Sequence, residues 1–461
     1  MGCFSSTSCS DDGAAKEKRP SGWRCCQYSQ TATVASNISS DDAAPHLDAL
    51  VRDKEYLTLE RQLPNANLTF AERTYFQGLL ASLENQPSKS IRLLKKVLPD
   101  LKAKNHERAA AALSALALDH WVQFQYADAC SVLSELSVHY SGELNPLKKQ
   151  DVADGIPVCQ VLRGAPRQTA AVPTGFSVQL RRNPLGEIEV PVTIGSVKEW
   201  LVLDTGSAAT VLTQSTAHKL GITTLPGVTT GRAFCGGEMK LRFAVLPRLK
   251  IGRAVFSNVA AAIADDTTLT FGGGSAEKYQ KAGIVGSPLM MGLGAFTLAG
   301  DEHLDVIASV TNNPRSGRMY LEQELPMVEV DVNGHNLLFS LDSGVDRSIF
   351  SVKYFETFPQ EFYGQRIVNA PSYQYGSKCD LSYVFLSKAS LRIGAATAVM
   401  SNIDVFALPS GSSSLDCYYG AFGRDLLSQF RSLSLDFRTM RYAVGEKMVN
   451  QLLSGDPETP H

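Results

Sequence analysis

One tripeptide recurs in matching surroundings, and that recurrence constrains the fold more than any composition does. Leu201-Val-Leu-Asp-Thr-Gly-Ser207 has an echo in Ser340-Leu-Asp-Ser-Gly-Val345. A chain of this length carries one Asp-[Thr/Ser]-Gly by chance roughly one time in five, so a single copy would mean little. The flanks repeat as well. Val190-Pro-Val-Thr-Ile-Gly195 precedes Trp200-Leu-Val-Leu203, and Val328-Glu-Val-Asp-Val-Asn-Gly334 precedes Leu337-Leu-Phe-Ser-Leu341. Each pair reads as a β-hairpin with a glycine turn whose second strand delivers an Asp. Downstream, Thr210-Val-Leu212 answers Ser348-Ile-Phe350, and Gly283-Ile-Val-Gly286 answers Gly420-Ala-Phe-Gly423. Asp204 to Gly286 is 82 positions and Asp342 to Gly423 is 81, inside a repeat of 138 residues taken from Asp to Asp.

These residues resemble the retropepsin-like and pepsin-like aspartic proteases, over roughly residues 175–450. In that family a strand and an Asp-[Thr/Ser]-Gly loop are followed, about a lobe-length later, by two hydrophobic residues and a Gly that open a short helix. The resemblance implies two all-β lobes, here 175–315 and 322–450, that build one site within a monomer. It implies Asp204 and Asp342 as the catalytic pair. Thr205 and Ser343 would bond across to the opposite loop and lock it. Ser207 resembles the position whose hydroxyl supports the outer oxygen of its own Asp, a bond that Val345 cannot supply in lobe two. Gly206 and Gly344 would let the backbone turn tightly beside the carboxylates. Thr229–Glu238, with glycines at its tip, is either a lid over the cleft or an ordinary hairpin.

The pairing has a chemical reason. Hydrolysing an amide without a metal or a covalent nucleophile needs an activated water and a protonated carbonyl oxygen together. Two carboxyls held about 3 Å apart cannot both ionise comfortably and share a proton. One is then a base and the other an acid, with an optimum expected on the acid side of neutrality.

The rest of the chain divides by pattern. Residues 1–45 show no periodicity and read as disordered. They begin Met-Gly-Cys-Phe-Ser-Ser, which fits N-myristoylation at Gly2 with Cys3 as a second acylation site. Two acyl chains would hold the protein at a membrane surface. The alternatives are a coincidental start in a cytoplasmic protein, or a mis-assigned start that hides an export signal. Residues 46–165 carry apolar residues at helical spacing in the segments His46–Leu63, Leu68–Glu84, Ser88–Leu98, Glu107–Phe124 and Tyr126–Tyr140. Pro99 is expected to end the third. The pieces resemble tetratricopeptide-like helix pairs, with Gly78 at a small-residue position; an irregular bundle is the alternative. Either would present a face to a protein partner. Prolines 146, 157, 166 and 173 mark 143–174 as a linker. The fold class expected is thus multidomain α+β, a helical domain followed by two all-β lobes.

Composition excludes several other classes. A net charge of −2 over 461 residues gives no reason to expect nucleic acid. The eight His form no HExxH, and neither a P-loop nor Gly-x-Ser-x-Gly is present, so no metal or cofactor is expected. Nine cysteines, an odd number without metal-type spacing, read as free thiols. The leading reading is an aspartic endopeptidase acting on peptide or protein substrates. A catalytically silent peptide-binding relative, or a scaffold working through its helical domain, are the alternatives.

Overall fold

The computed structural model describes residues 43–232, 238–271, 278–300, 302–310, 313–374, 377–409 and 414–448. Gly2, Cys3 and the rest of the N-terminal segment, the tip of the Thr229–Glu238 hairpin and the Gly272-Gly-Gly-Ser stretch lie outside the described residues.

A helical region comes first: α1 (Ala43–Arg52), α2 (Tyr56–Gln62), α3 (Phe70–Leu83), α4 (Pro87–Lys104), α5 (His106–Val122), α6 (Tyr126–His139) and α7 (Pro146–Leu162). Thr69 starts α3 in a reciprocal capping box with Glu72, which satisfies two otherwise orphaned N–H groups. Gly78 lets α3 close on α4, since a Cβ there would lie 2.5 Å from Leu94 Cδ2.

Four expectations need correction here. The segment from His46 is two helices, broken where Lys54 takes φ 60°. Pro99 does not end α4. It removes one N–H donor, but Leu94, Val97 and Leu101 form a continuous buried stripe that carries the helix to Lys104. The supposed linker contains α7. Pro146 sits at the first turn, where no N–H is needed, and Asn145 accepts from Lys148 N at 2.8 Å. Val152, Cys159 and Leu162 are its buried residues, and Pro157 is accommodated within it. The free-thiol reading fails for two cysteines: α6 packs on α7, and Cys130 and Cys159, with Cα atoms 5.4 Å apart, form a disulfide.

From Thr169 the chain is β-rich. The two repeat hairpins form as expected, Ile188–Ile194 with Val197–Leu203 and Leu325–Val332 with His335–Leu341. The second turns on Asn333-Gly334, both at positive φ, which matches the strand twist in a two-residue turn. Leu201, Val202 and Leu203 are all buried. This strand is covered on both faces and runs parallel to Gly283–Val285, as His335–Leu341 runs parallel to Gly420–Phe422.

Among the described residues the strands form one nine-stranded and one thirteen-stranded sheet, with a small two-stranded pair. The larger sheet is shared between the halves of the repeat. Phe176–Gln179, Ala295–Ala299 and His303–Val306 lie in it, Ala295–Ala299 pairing with Ser432–Asp436. One continuous core therefore runs through both halves, with Val190, Val192, Phe296, Val330 and Leu435 in a single buried cluster.

The helical region is docked on this body. A hairpin turning at Gln323-Glu324, both at positive φ, presents three consecutive side chains to it. Glu322 accepts from Lys54 Nζ at 2.6 Å and Tyr56 OH at 2.5 Å, Gln323 Nε2 donates to Asp151 at 2.6 Å, and Glu324 accepts from Trp121 Nε1 at 2.9 Å. Lys353 Nζ reaches Glu55 and the Asp53 carbonyl, both at 2.6 Å. Elsewhere Tyr126 and Leu162 pack with Phe243 and Ala262, with Leu241 of the Glu238–Ile251 strand beside them.

Candidate active site

Each Asp stands where a buried strand ends and the chain must turn. Asp204 N–H still bonds to the parallel neighbour at Val285 O, 3.1 Å, and Asp342 N–H to Phe422 O, 2.9 Å. Two residues on, each loop turns its backbone back onto its own carboxylate. Gly206 N donates to Asp204 Oδ1 and Gly344 N to Asp342 Oδ1, both at 2.9 Å. The strand-to-loop geometry is thus the same in both copies.

The two loops then meet head to head. Thr205 Oγ1 donates to Leu341 O at 2.7 Å and accepts from Ser343 N at 2.9 Å. Reciprocally, Ser343 Oγ donates to Leu203 O at 2.9 Å and accepts from Thr205 N at 3.0 Å. All four bonds are buried, and they tie each loop to the strand that feeds the other. The glycines are required by close approach. A Cβ on Gly206 would lie 2.4 Å from Asp342 Cγ, and one on Gly344 would lie 2.6 Å from Asp204 Oδ1. Each carboxylate therefore rests on the opposite loop's glycine, and Asp204, Thr205, Gly206, Asp342, Ser343 and Gly344 come together in one place.

Thr205→Val keeps the shape and deletes the hydroxyl. It leaves the Leu341 carbonyl and Ser343 N–H without partners, at about 1–3 kcal/mol for each buried group. Thr205→Ser should restore most of that loss. Denaturant unfolding of the two variants beside wild type is the check; equal midpoints for Val and wild type would dismiss the cross-loop lock.

Ser207 does not do what its position implies. Its Oγ donates to Ala209 O at 2.9 Å, inside its own loop, and not to Asp204. The turn between Asp204 and Thr210 brings that carbonyl round, so the serine closes the turn. Each loop turns one backbone N–H onto its own carboxylate, Gly206 onto Asp204 and Gly344 onto Asp342, and the Val345 N–H also favours the Asp342 anion. Both carboxyls are pushed up, chiefly by burial. For Asp204 the charge of Asp342 adds to this; for Asp342 its N–H donors and a hydrogen bond to Asp204 offset part of it. Two buried carboxyls this close resist ionising together, and their titration belongs to the pair.

Asp425, which follows the second signature Gly, serves the start of the short helix Arg424–Leu427. Its Oδ1 accepts from Leu426 N at 2.8 Å and from the Ser348 N and Oγ at 2.9 and 2.6 Å. Three charged residues near the pair carry no motif and were missed in the sequence: Glu187, Lys281 and Arg424. Lys281 Nζ lies 2.6 Å from Glu187 Oε1, with both side chains 5% exposed. The signal available was register. Glu189 pairs with Val202, two positions before Asp204, and Glu187 lies two positions before Glu189, just ahead of the first residue of that strand, Ile188. At the Thr229–Arg232 strand, the base of the possible lid pairs with Glu238–Leu241; its tip lies outside the described residues. Among the described residues no group of His, Cys, Asp and Glu is arranged to hold a metal ion.

No curated protein matches the chain. Among solved structures, an aspartic proteinase from Irpex lacteus is similar to it at 12% identity and a TM-score of 0.38, over 62% of this chain and 99% of that one. Residues 190–289 match the aspartyl protease family model. That stretch holds the first loop with Asp204, Thr205 and Gly206, together with the strand Gly283–Val285 that runs beside it, and the match supports a protease function.

Proposed function

We propose that the chain is an aspartic endopeptidase whose water is activated by the Asp204–Asp342 pair. The observation that carries this reading is the head-to-head lock of two Asp-[Thr/Ser]-Gly loops, which sets each carboxylate on the other loop's glycine. One carboxyl of the pair, ionised, takes a proton from water, and the other, which carries the shared proton, gives it to the substrate carbonyl oxygen; either Asp can fill either part. The amide carbon becomes a tetrahedral gem-diol, the proton taken from water passes to the leaving nitrogen as the C–N bond breaks, and one diol hydroxyl returns its proton to the other carboxyl, which restores the shared proton. Thr205, Gly206, Ser343 and Gly344 hold the geometry. Ser207 stiffens its own turn.

The substrate is a peptide or protein, and no cofactor enters the scheme. The helical region is read as stacked helix pairs in the tetratricopeptide manner, with the α3–α4 closure at Gly78 in support. It offers a face to a protein partner.

Cleavage of a peptide library by the full chain, with and without a transition-state-type inhibitor of aspartic proteases, tests the reading. Inhibitor-sensitive cleavage is expected. Binding of peptides without cleavage would replace it by the silent-binder reading. Both loops lie in one chain, so activity per mole should also stay flat on dilution through the nanomolar range. A fall that follows a dimer dissociation curve would mean that the loops pair between chains.

A further inference from the structure

Glu187, Lys281 and Arg424 come from three separate stretches of chain and meet beside the Asp pair. Glu187 leaves the Asn183–Gly186 turn, where Asn183 Nδ2 donates to its Oε2 at 2.8 Å. Lys281 Nζ contacts its Oε1 and lies 4.1 Å from the centre of the Phe271 ring. Arg424 opens the short helix of the second repeat, and its backbone N bonds to Val345 O at 3.0 Å, on the loop of Asp342. From there its guanidinium crosses to the first repeat. Nη2 donates to Leu185 O at 3.2 Å, and Nη1 is buried without a hydrogen bond among the described residues, 3.9 Å from Glu187 Oε1.

The charges sum simply. The triad carries one carboxylate and two cations, net +1, and the once-protonated Asp pair carries −1. Buried charge of one sign is costly unless balanced nearby. We infer that Glu187, Lys281 and Arg424 are positioning residues that balance the single negative charge of the Asp204–Asp342 pair and so set the pH range over which it works. This rests on the peptidase reading above.

The groups that bear on each member can be named. Asp204 feels Asp342, Lys281 and Glu187, and Asp342 feels Asp204 and Arg424. Behind Glu187 lies a second cluster, in which Glu189 accepts from Tyr279 OH at 2.8 Å and Arg181 Nε at 2.7 Å. The two cations lower their respective Asp, and Glu187 raises Asp204.

Opposite substitutions should therefore act oppositely. Lys281→Met removes a positive charge, disfavours both ionisations of the pair, and moves both limbs of the pH–rate profile upward by about one pH unit. Glu187→Gln removes the negative charge and moves them downward. The double variant Glu187→Gln/Lys281→Met leaves the net charge as in wild type and should return the profile to within a few tenths of a unit. It restores the charge balance that each single variant breaks, with Arg424 as the one cation of the triad left facing the Asp pair; Arg424→Gln then supplies the upward shift from the other side. A purely structural role would lower activity in all variants without moving the limbs in opposite senses, and that result overturns the inference.

A second readout separates this from the peptidase reading. Carboxyl carbons of aspartate-labelled protein are titrated by NMR, with the Asp204 and Asp342 signals assigned by their loss in Asn variants. Opposite shifts there, with no peptide cleaved by wild type, keep the triad's role and remove the peptidase. Cleavage with unmoved titrations keeps the peptidase and removes the triad's role.

Discussion

Asp204→Asn and Asp342→Asn should each abolish peptide turnover, by at least about a thousandfold, because the remaining carboxyl cannot be acid and base in one cycle. The double variant should be no worse than either single, since groups that act as one unit are not additive. Peptide binding should survive, because amide and carboxyl are nearly isosteric. The rate should be bell-shaped in pH, with limbs belonging to the pair. A second, independent sign follows from the same burial. Both carboxyls titrate above their ordinary range, so their neutral forms favour the fold. That contribution is complete below the ordinary carboxylate range and is lost as pH rises through the raised values. Asp204→Asn cannot ionise, so it should be more stable than wild type near neutrality and equal to it in acid. Denaturant midpoints across the pH range measure this alongside the kinetics. An inactive variant with no gain in stability would place Asp204 in a solvated site. Substantial activity in Asp342→Asn would make the second loop structural.

What could be read in advance was local. The strand-to-loop geometry of each Asp depends on residues within a few positions, namely an apolar run buried on both faces, a hydroxyl and a glycine. Two copies at matched spacing made it visible. Asn333-Gly334 announced its hairpin for the same reason. Where long-range packing decides, the text misled. Pro99 and Pro157 read as punctuation, yet a buried stripe on one side of each helix outweighed one missing N–H. Cys130 and Cys159 carry no spacing signal because the approach of α6 to α7 is what pairs them. Ser207 was assigned by position in a pattern, whereas its hydroxyl goes to a carbonyl of its own turn, Ala209 O. Glu187, Lys281 and Arg424 are scattered over more than two hundred positions. Only the shared sheet and the cross-loop lock bring them together.

The hairpin that turns at Gln323-Glu324 should give the stability of the docked helical region a maximum in pH. Two carboxylates two positions apart there are pushed in opposite directions. Glu322 is buried, but Lys54 and the Tyr56 hydroxyl hold it down to about 2. Its stabilisation is present above the ordinary glutamate value and is lost as pH falls from about 4.5 toward 2, on the order of 3 kcal/mol. Glu324 is 5% exposed, has one donor in Trp121, and its Oε1 is unpaired among the described residues. Burial pushes it up to about 8. Its neutral form favours the fold, so stability is lost as pH rises from about 4.5 to about 8, on the order of 5 kcal/mol. Glu324→Gln keeps an acceptor for Trp121 and cannot ionise. It should remove that alkaline slope and stabilise the protein near neutrality. Glu322→Gln should do the reverse. It leaves Lys54 as an uncompensated buried cation, costs about 3–5 kcal/mol near neutrality, and removes the acid slope. Asp119, pushed up to about 7 by burial within the helical region, adds its own alkaline slope to every variant, so differences from wild type isolate the hairpin. Unfolding midpoints followed by tryptophan fluorescence from acid to mild alkali decide it. Parallel curves for wild type and Glu324→Gln would mean that the helical region does not bury this hairpin in solution.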